Sequence, residues 1–157
     1  MTRKAGQKLN FILDVDGVLS TGQFLYSASG KAYKVFGPHD ADGLALISER
    51  INILFISADR RGFPISKKRV GDMGYGIELV SQHDRYDFIK ERFGLERLIF
   101  MGDGIFDARL LKDCKFGIAP AGARPEALKA ADYITASRAG EGAVCDACVE
   151  IAARFLK

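Results

Sequence analysis

No stretch of this chain is apolar for anything near the ~20 residues that a membrane-crossing helix needs, because charges or glycines interrupt every run well short of that. Cysteine is also sparse. Three residues make an odd count, and the CxxC of Cys145 and Cys148 has no second ligand pair to complete a metal site. Val144, Cys148, Ile151 and Phe155 recur at helical spacing, which turns Cys148 toward a core. A reduced, cytoplasmic protein is the expectation. Histidine occurs only as His39 and His83. A lone histidine in a loop is more often structural or solvent-facing than catalytic; His39, in the segment GPHDADG near the predicted mouth of a site, is the one of the two placed to touch substrate. No excess of one charge sign is present either: the net charge is +3 and the pI about 8.8, without the dense basic stripe of a nucleic-acid-binding protein. The run Lys67-Lys68-Arg69 reads as a solvated helix face. Repeats, low-complexity segments and linkers are missing as well.

What is present points to a globular protein. Apolar residues make up 48% of the chain, too many for disorder, and 157 residues fit one domain, 1–157, around a single core. The opening MTRKAGQKLNFILDVDG turns from basic to apolar as a signal peptide does. Asp14 and Asp16 interrupt the apolar part, however, and no small-residue cleavage site follows, so a strand is expected there. Short apolar runs at Leu9–Val15, Ile51–Ala58, Gly76–Ser81 and Arg97–Asp103 alternate with helical patterns at Asp42–Arg50, Ser66–Met73, Asp84–Phe93, Pro125–Ala131 and Ala143–Leu156. Asp84 is the expected N-cap of its helix and Gly94 the stop. Gln23–Phe36 alternates about Ser29-Gly30 and predicts a β-hairpin. The β-α-β-α order predicts an α/β, doubly wound parallel sheet, with ligands bound beyond the carboxyl ends of its strands.

Those strand ends carry acids. Asp14 and Asp16 follow the first strand, and Asp103, with Asp107 four residues on, follows a later one. Acids that converge without counter-ions repel strongly; a hard divalent cation resolves this, and all-oxygen ligands select Mg²⁺.

Here the residues carry a resemblance. DVDGVLS resembles the first motif of the haloacid dehalogenase superfamily, Asp-x-Asp-Gly-x-x-Thr/Ser; FISA resembles its second, a strand ending in Thr/Ser; GDGIFD resembles its fourth, Gly-Asp-x-x-x-Asp. The hairpin, DADGLALI and the tail GIAPAGARPEALKAADYITASRAGEGAV are similar to one subgroup, the small phosphatases without a large cap that act on 3-deoxy-D-manno-octulosonate 8-phosphate. The resemblance implies that Asp14 is the nucleophile and Asp16 the general acid/base. It implies that Mg²⁺ is held by Asp14, the Asp16 carbonyl and Asp103, with Asp107 ordering its water shell. Ser57 and backbone N–H groups near Gly17 and Ala58 are expected to hold the phosphoryl oxygens. It further implies a small anionic phosphorylated substrate, no nucleic-acid or membrane partner, and a homotetramer assembled through the hairpins. A hairpin exposed with Phe24, Tyr26, Tyr33 and Phe36 would otherwise leave an apolar patch in water, which is the expectation behind such an assembly.

Two positions depart from the pattern. The third motif is a lysine; at the matching place stands Arg85, while Lys90 is too close to Asp103 for the usual spacing. Arg85 is taken as the stand-in, and a lysine there is expected to serve at least as well. In the tail, Ala139-Gly140-Glu141-Gly142 replaces Gly-Gly-Arg-Gly. Glu141 would repel an acidic sugar, with Arg138 as the compensating cation, which keeps open a sialate-type 9-phosphate or heptose phosphate as substrate, or a weakly active domain kept for assembly. ISADRR, longer than the family's Thr-Gly-Arg, predicts a bulge near Asp59.

Overall fold

The computed structural model describes residues 7–157; the basic opening of the chain, residues 1–6, lies outside them. Six strands form one parallel sheet in the order β5-β4-β1-β6-β7-β8. They are β1 (Asn10–Asp14), β4 (Asn52–Ser57), β5 (Gly76–Leu79), β6 (Leu98–Met101), β7 (Phe116–Ala121) and β8 (Tyr133–Arg138). β2 (Ser20–Ser27) and β3 (Gly30–Phe36) form a separate antiparallel hairpin.

Alternation along the strands sorts the core into two layers, since successive side chains on a strand point to opposite faces. Phe11, Leu13, Phe55 and Met101 face one side, where they pack with Leu44 and Ile47 of α1 (His39–Ile47), Val70 of α2 (Phe63–Asp72), and Val144, Cys148 and Ile151 of α6 (Ala143–Phe155). Ile12, Ile56, Leu98 and Phe100 face the other side. There they meet Ile89 of α3 (Arg85–Phe93), Leu110 and Leu111 of α4 (Ala108–Asp113), and Ala127 of α5 (Pro125–Ala130). A sheet covered on both faces explains why its strands read as continuous apolar runs. The expected α/β doubly wound sheet and hairpin are present, and no segment large enough for a cap interrupts the described chain.

Several local expectations are corrected. α1 starts at His39, three residues early, and its Asp40 is fully buried, with Oδ1 accepting the Cys145 N–H at 3.1 Å. A side chain in the first turn of α1 thus satisfies an orphan donor in the first turn of α6. α2 starts at Phe63, with Pro64 in its first turn, where a missing N–H costs nothing. Asp84 does not cap α3 through its side chain; instead Ser81 Oγ accepts the His83 and Asp84 N–H groups, each at 3.2 Å. No bulge disturbs β4, whose register to β1 and β5 is continuous. The extra length is taken up in the following turn, closed by the Gly62 N–H donating to Asp59 Oδ1 at 3.1 Å. Cys145 and Cys148 are free thiols on α6, and burial pushes the Cys148 thiol upward, as befits a core side chain. No helix among the described residues is long and apolar enough to cross a membrane.

Candidate active site

The strand order reverses at β1, whose neighbours β4 and β6 lead away in opposite directions. A crevice opens at such a point beyond the carboxyl ends of the strands. Asp14 ends β1, Ser57 ends β4, and Asp103 follows β6 by two residues. After Asp14 the chain makes a wide turn over Val15–Leu19 instead of continuing as strand. Gly17 makes the turn possible: its φ of +80° is unfavourable for a side-chain-bearing residue, and a Cβ there would collide with the Asp103 carboxylate. Glycine therefore lets the turn after β1 close against the loop after β6.

The turn sends its two acids into different surroundings. Asp14 is nearly buried, 9% exposed, and accepts the Val15 N–H at 2.9 Å. Arg85, at the first position of α3 and 4% exposed, reaches it with Nη1 3.3 Å from Asp14 Oδ2. Asp16 is half-buried instead and pairs with Lys34 Nζ at 2.9 Å, while its Oδ1 accepts the Ser20 hydroxyl at 3.2 Å. The second acid pair is ordered from within. Asp107 Oδ2 accepts the N–H groups of Asp103 and Gly104 at 3.1 and 2.9 Å, and its Oδ1 receives Arg85 Nη1 at 2.6 Å. Arg85 thus ties the third-motif position to both acid-bearing loops.

Asp14, Asp103 and Asp107 bring one carboxylate oxygen each to within 4.8 Å of one another. Burial pushes the Asp14 carboxyl up to about 7; Arg85 opposes the rise and Asp107 adds to it. Burial, with the charges of Asp14 and Asp107, pushes Asp103 up to about 7 as well. One guanidinium is too little positive charge for three converging acids. The set is all oxygen, faces a cavity, and is short of a cation, so it fits a hard divalent metal. Each of the three offers one oxygen to such an ion, and Asp107 in addition orders the Asp103–Gly104 backbone.

The cavity over this cluster measures about 340 Å³ and is lined by Asp14, Asp16, Arg85, Asp103 and Asp107, with Ala58, Lys31, Asp59 and Gln82 on its wall. Ser57 is buried and does not line the cavity, although Ala58, the next residue, does; its Oγ accepts the Asp59 N–H at 3.1 Å. A second cavity of about 510 Å³ adjoins it, shares Asp103, and is lined by Gly17, Arg138 and Glu141. The other candidates point elsewhere. Lys90 is exposed on α3 over the Tyr86 ring, Lys67 and Lys68 are exposed on α2, and His39 is exposed outside both cavities. Lys31, Lys34 and Asp59 were missed by the sequence reading. The one signal for Lys34 is its place in the hairpin alternation, on the same side as the inward-packing Phe36.

Residues 88–147 match the haloacid dehalogenase-like hydrolase family. Over 144 residues the chain is 28% identical to the 3-deoxy-D-manno-octulosonate 8-phosphate phosphatase of Haemophilus influenzae, covering 87% of this chain and 79% of that one. A cobalt-bound structure of the deoxy-D-mannose-octulosonate 8-phosphate phosphatase from Haemophilus influenzae matches with a TM-score of 0.79 at 27% identity, over 93% of this chain and 88% of the other. The Moraxella catarrhalis 3-deoxy-D-manno-octulosonate 8-phosphate phosphatase, solved with magnesium, phosphate and KDO, matches with a TM-score of 0.76 at 27% identity, over 93% and 86%. The likeness runs through sequence and fold together over nearly the whole length, with the acids of the first and fourth motifs brought to one crevice: the chain resembles the haloacid dehalogenase superfamily in its motifs, its fold and the placing of its acids.

Proposed function

We propose that this protein is a Mg²⁺-dependent phosphatase that hydrolyses a sugar phosphate, with 3-deoxy-D-manno-octulosonate 8-phosphate as the leading substrate. The observation that carries the reading is the pair of acids on one turn in two environments. Asp14 lies in the metal-fitting cluster beside Arg85; Asp16 lies outside that cluster, at the cavity wall.

Each carboxylate then has one task. An oxygen of Asp14 attacks phosphorus, the bond from phosphorus to the sugar oxygen breaks, and Asp16 gives that oxygen its proton. Asp16, now a carboxylate, takes a proton from water as the water attacks the aspartyl-phosphate. Inorganic phosphate leaves and the Asp14 carboxylate is restored. Arg85 and the Ser57 hydroxyl supply positive charge and a donor for the phosphoryl oxygens. Mg²⁺ held by Asp14, the Asp16 carbonyl and Asp103 would neutralise charge on the transferring group, and Asp107 keeps Asp103 oriented toward it. The adjoining cavity, with Arg138 and Glu141, is sized for the sugar. Gly17 and Ala58 line the approach to it and to the phosphoryl position. The exposed apolar hairpin joins subunits into a homotetramer.

One observation favours a second substrate. Glu141 shares the sugar cavity with Arg138, so its carboxylate opposes an acidic sugar there and suits a neutral one such as a heptose phosphate. Phosphate release with and without Mg²⁺ separates the readings, using 3-deoxy-D-manno-octulosonate 8-phosphate, a sialate 9-phosphate, and hexose and heptose phosphates. Mg²⁺-dependent turnover, highest on the first, is expected, and the Asp14→Asn variant should lose at least about 10³-fold in kcat while melting cooperatively. Preference for a heptose phosphate would move the substrate but keep the chemistry. Turnover by Asp14→Asn, or none by the natural chain, would overturn the assignment.

A further inference from the structure

Among the described residues Lys34 is an unusual cation. It sits on β3 of an otherwise exposed hairpin, yet its side chain is 0% exposed. An ammonium group taken out of water must be met by acceptors, and long lysine side chains normally reach for solvent. Here Nζ is surrounded. It donates to Asp16 Oδ2 at 2.9 Å and to Ser66 Oγ of α2 at 2.8 Å, and it lies 2.8 Å from Asp59 Oδ2 in an ion contact without hydrogen-bond alignment. The pocket is built for it: a Cβ at Gly62 would collide with Asp59 Oδ2 and come within 2.7 Å of Lys34 Cε.

We propose that Lys34 is a positioning residue for the phosphatase reaction: it pins Oδ2 of Asp16, so that Oδ1 is the oxygen that exchanges the proton with the sugar ester and with water. The inference rests on the role given to Asp16 above. Lys34 does not line the cavity and touches no substrate; it acts through Asp16. Without it, a short carboxylate on a turn has only the Ser20 hydroxyl, at 3.2 Å, to fix its direction. Asp59 completes the arrangement. It also accepts Lys31 Nζ at 2.7 Å and the Gly62 N–H, so it stays a carboxylate and gives Lys34 a counter-charge that takes no part in proton transfer. The hairpin, the turn after β4 and α2 thereby meet at the acid/base.

The test compares leaving groups in single turnovers with enzyme in excess, in the presence of Mg²⁺. A sugar alkoxide needs a proton to leave, whereas 4-nitrophenolate does not. In Lys34→Met, release of the sugar from 3-deoxy-D-manno-octulosonate 8-phosphate should slow by about 30-fold or more, within the range general acid catalysis supplies. Release of nitrophenolate from 4-nitrophenyl phosphate should stay within about 3-fold. Because Lys34→Met takes one of its two lysines from Asp59 and can loosen the site, the double variant Lys34→Met/Asp59→Asn carries the same expectation without the unbalanced carboxylate. Equal slowing of both leaving groups would reduce Lys34 to a structural residue, and no slowing of either would remove it from the reaction. A natural chain inert toward both esters would sink the phosphatase reading along with this one, whereas an active natural chain with a parallel loss sinks the lysine alone.

Discussion

Asp14 and Asp103 hold their protons far longer than a carboxyl in water does. Each moves from an ordinary 3.8 to about 7, burial first and neighbouring acids after it. The raised direction fixes how the metal-free protein depends on pH. Below about 4 both groups are protonated in the folded and the unfolded chain, and nothing is lost. Between about 4 and 7 the unfolded chain sheds protons that the folded chain keeps, so stability falls; above about 7 the loss levels off. One such group is worth about 4 kcal/mol, and the two share one charge cluster, so their effects do not add. A divalent cation between them should reverse this. The melting temperature of the metal-free protein is expected to drop from pH 4 to pH 8, and Mg²⁺ should raise it far more at pH 8 than at pH 5. Asp103→Asn should flatten both responses. A Mg²⁺ shift that ignores pH, or survives Asp103→Asn, would remove the cluster as the metal site. At this scale the acids were legible because each stands where an apolar run stops. Lys34 and Asp59 were not, because their meaning depends on which face of a hairpin a lysine takes and on where a turn folds back.

At the scale of elements, α3 delivers Arg85 by its first residue, and a guanidinium does there what an ammonium cannot. Arg85 Nη1 contacts Asp107 at 2.6 Å and Asp14 at 3.3 Å, and Nη2 lies 3.5 Å from Asp14. A planar fork spans the two carboxylates, whereas a lysine presents one point charge on a shorter reach. This changes the expectation formed from the family pattern. Arg85→Lys should fold and bind substrate, but lose about 10-fold in kcat as one of the two contacts lapses, and Arg85→Met should lose at least about 10²-fold. A lysine variant as fast as the natural chain would mean that charge alone is needed at this place. The elements themselves were largely readable. Strands buried on both faces have to be apolar throughout, and Gly94 stops α3 as expected, with φ +73°. What failed was capping. Nothing local marks His39 as the start of α1, since Asp40 is held by α6, over a hundred residues away. Asp84 looked like a cap because it precedes the helix, yet Ser81, one turn earlier, takes the N–H groups.

For the whole molecule, the unresolved balance is on the hairpin. Leu25, Tyr26, Tyr33 and Val35 expose 64, 62, 67 and 53% of their surface, together with Phe24 at 43%. Leu25 pairs with Tyr33 on one face, with Val35 two residues on, while Phe24 pairs with Lys34 on the other; large apolar side chains gathered on one exposed face are what soluble monomers rarely leave in water. A lone hairpin is also marginal by itself. Yet its inner face holds Lys34 against Asp16, so whatever steadies the hairpin steadies the acid/base. Self-association through the outer face meets both requirements, and closed rings of identical subunits are the usual way to bury such a patch. Light scattering should give a mass about four times the 17.2 kDa of one chain. Leu25→Asp combined with Tyr33→Asp should reduce it to a monomer that still melts cooperatively, because neither side chain belongs to the core. The monomer should also turn over more slowly, by about 10-fold, with its hairpin no longer held. A natural chain that is monomeric at micromolar concentration would remove the assembly. A variant that is monomeric but fully active would separate assembly from catalysis and leave the contacts of Lys34 and Lys31 as the tie between hairpin and site.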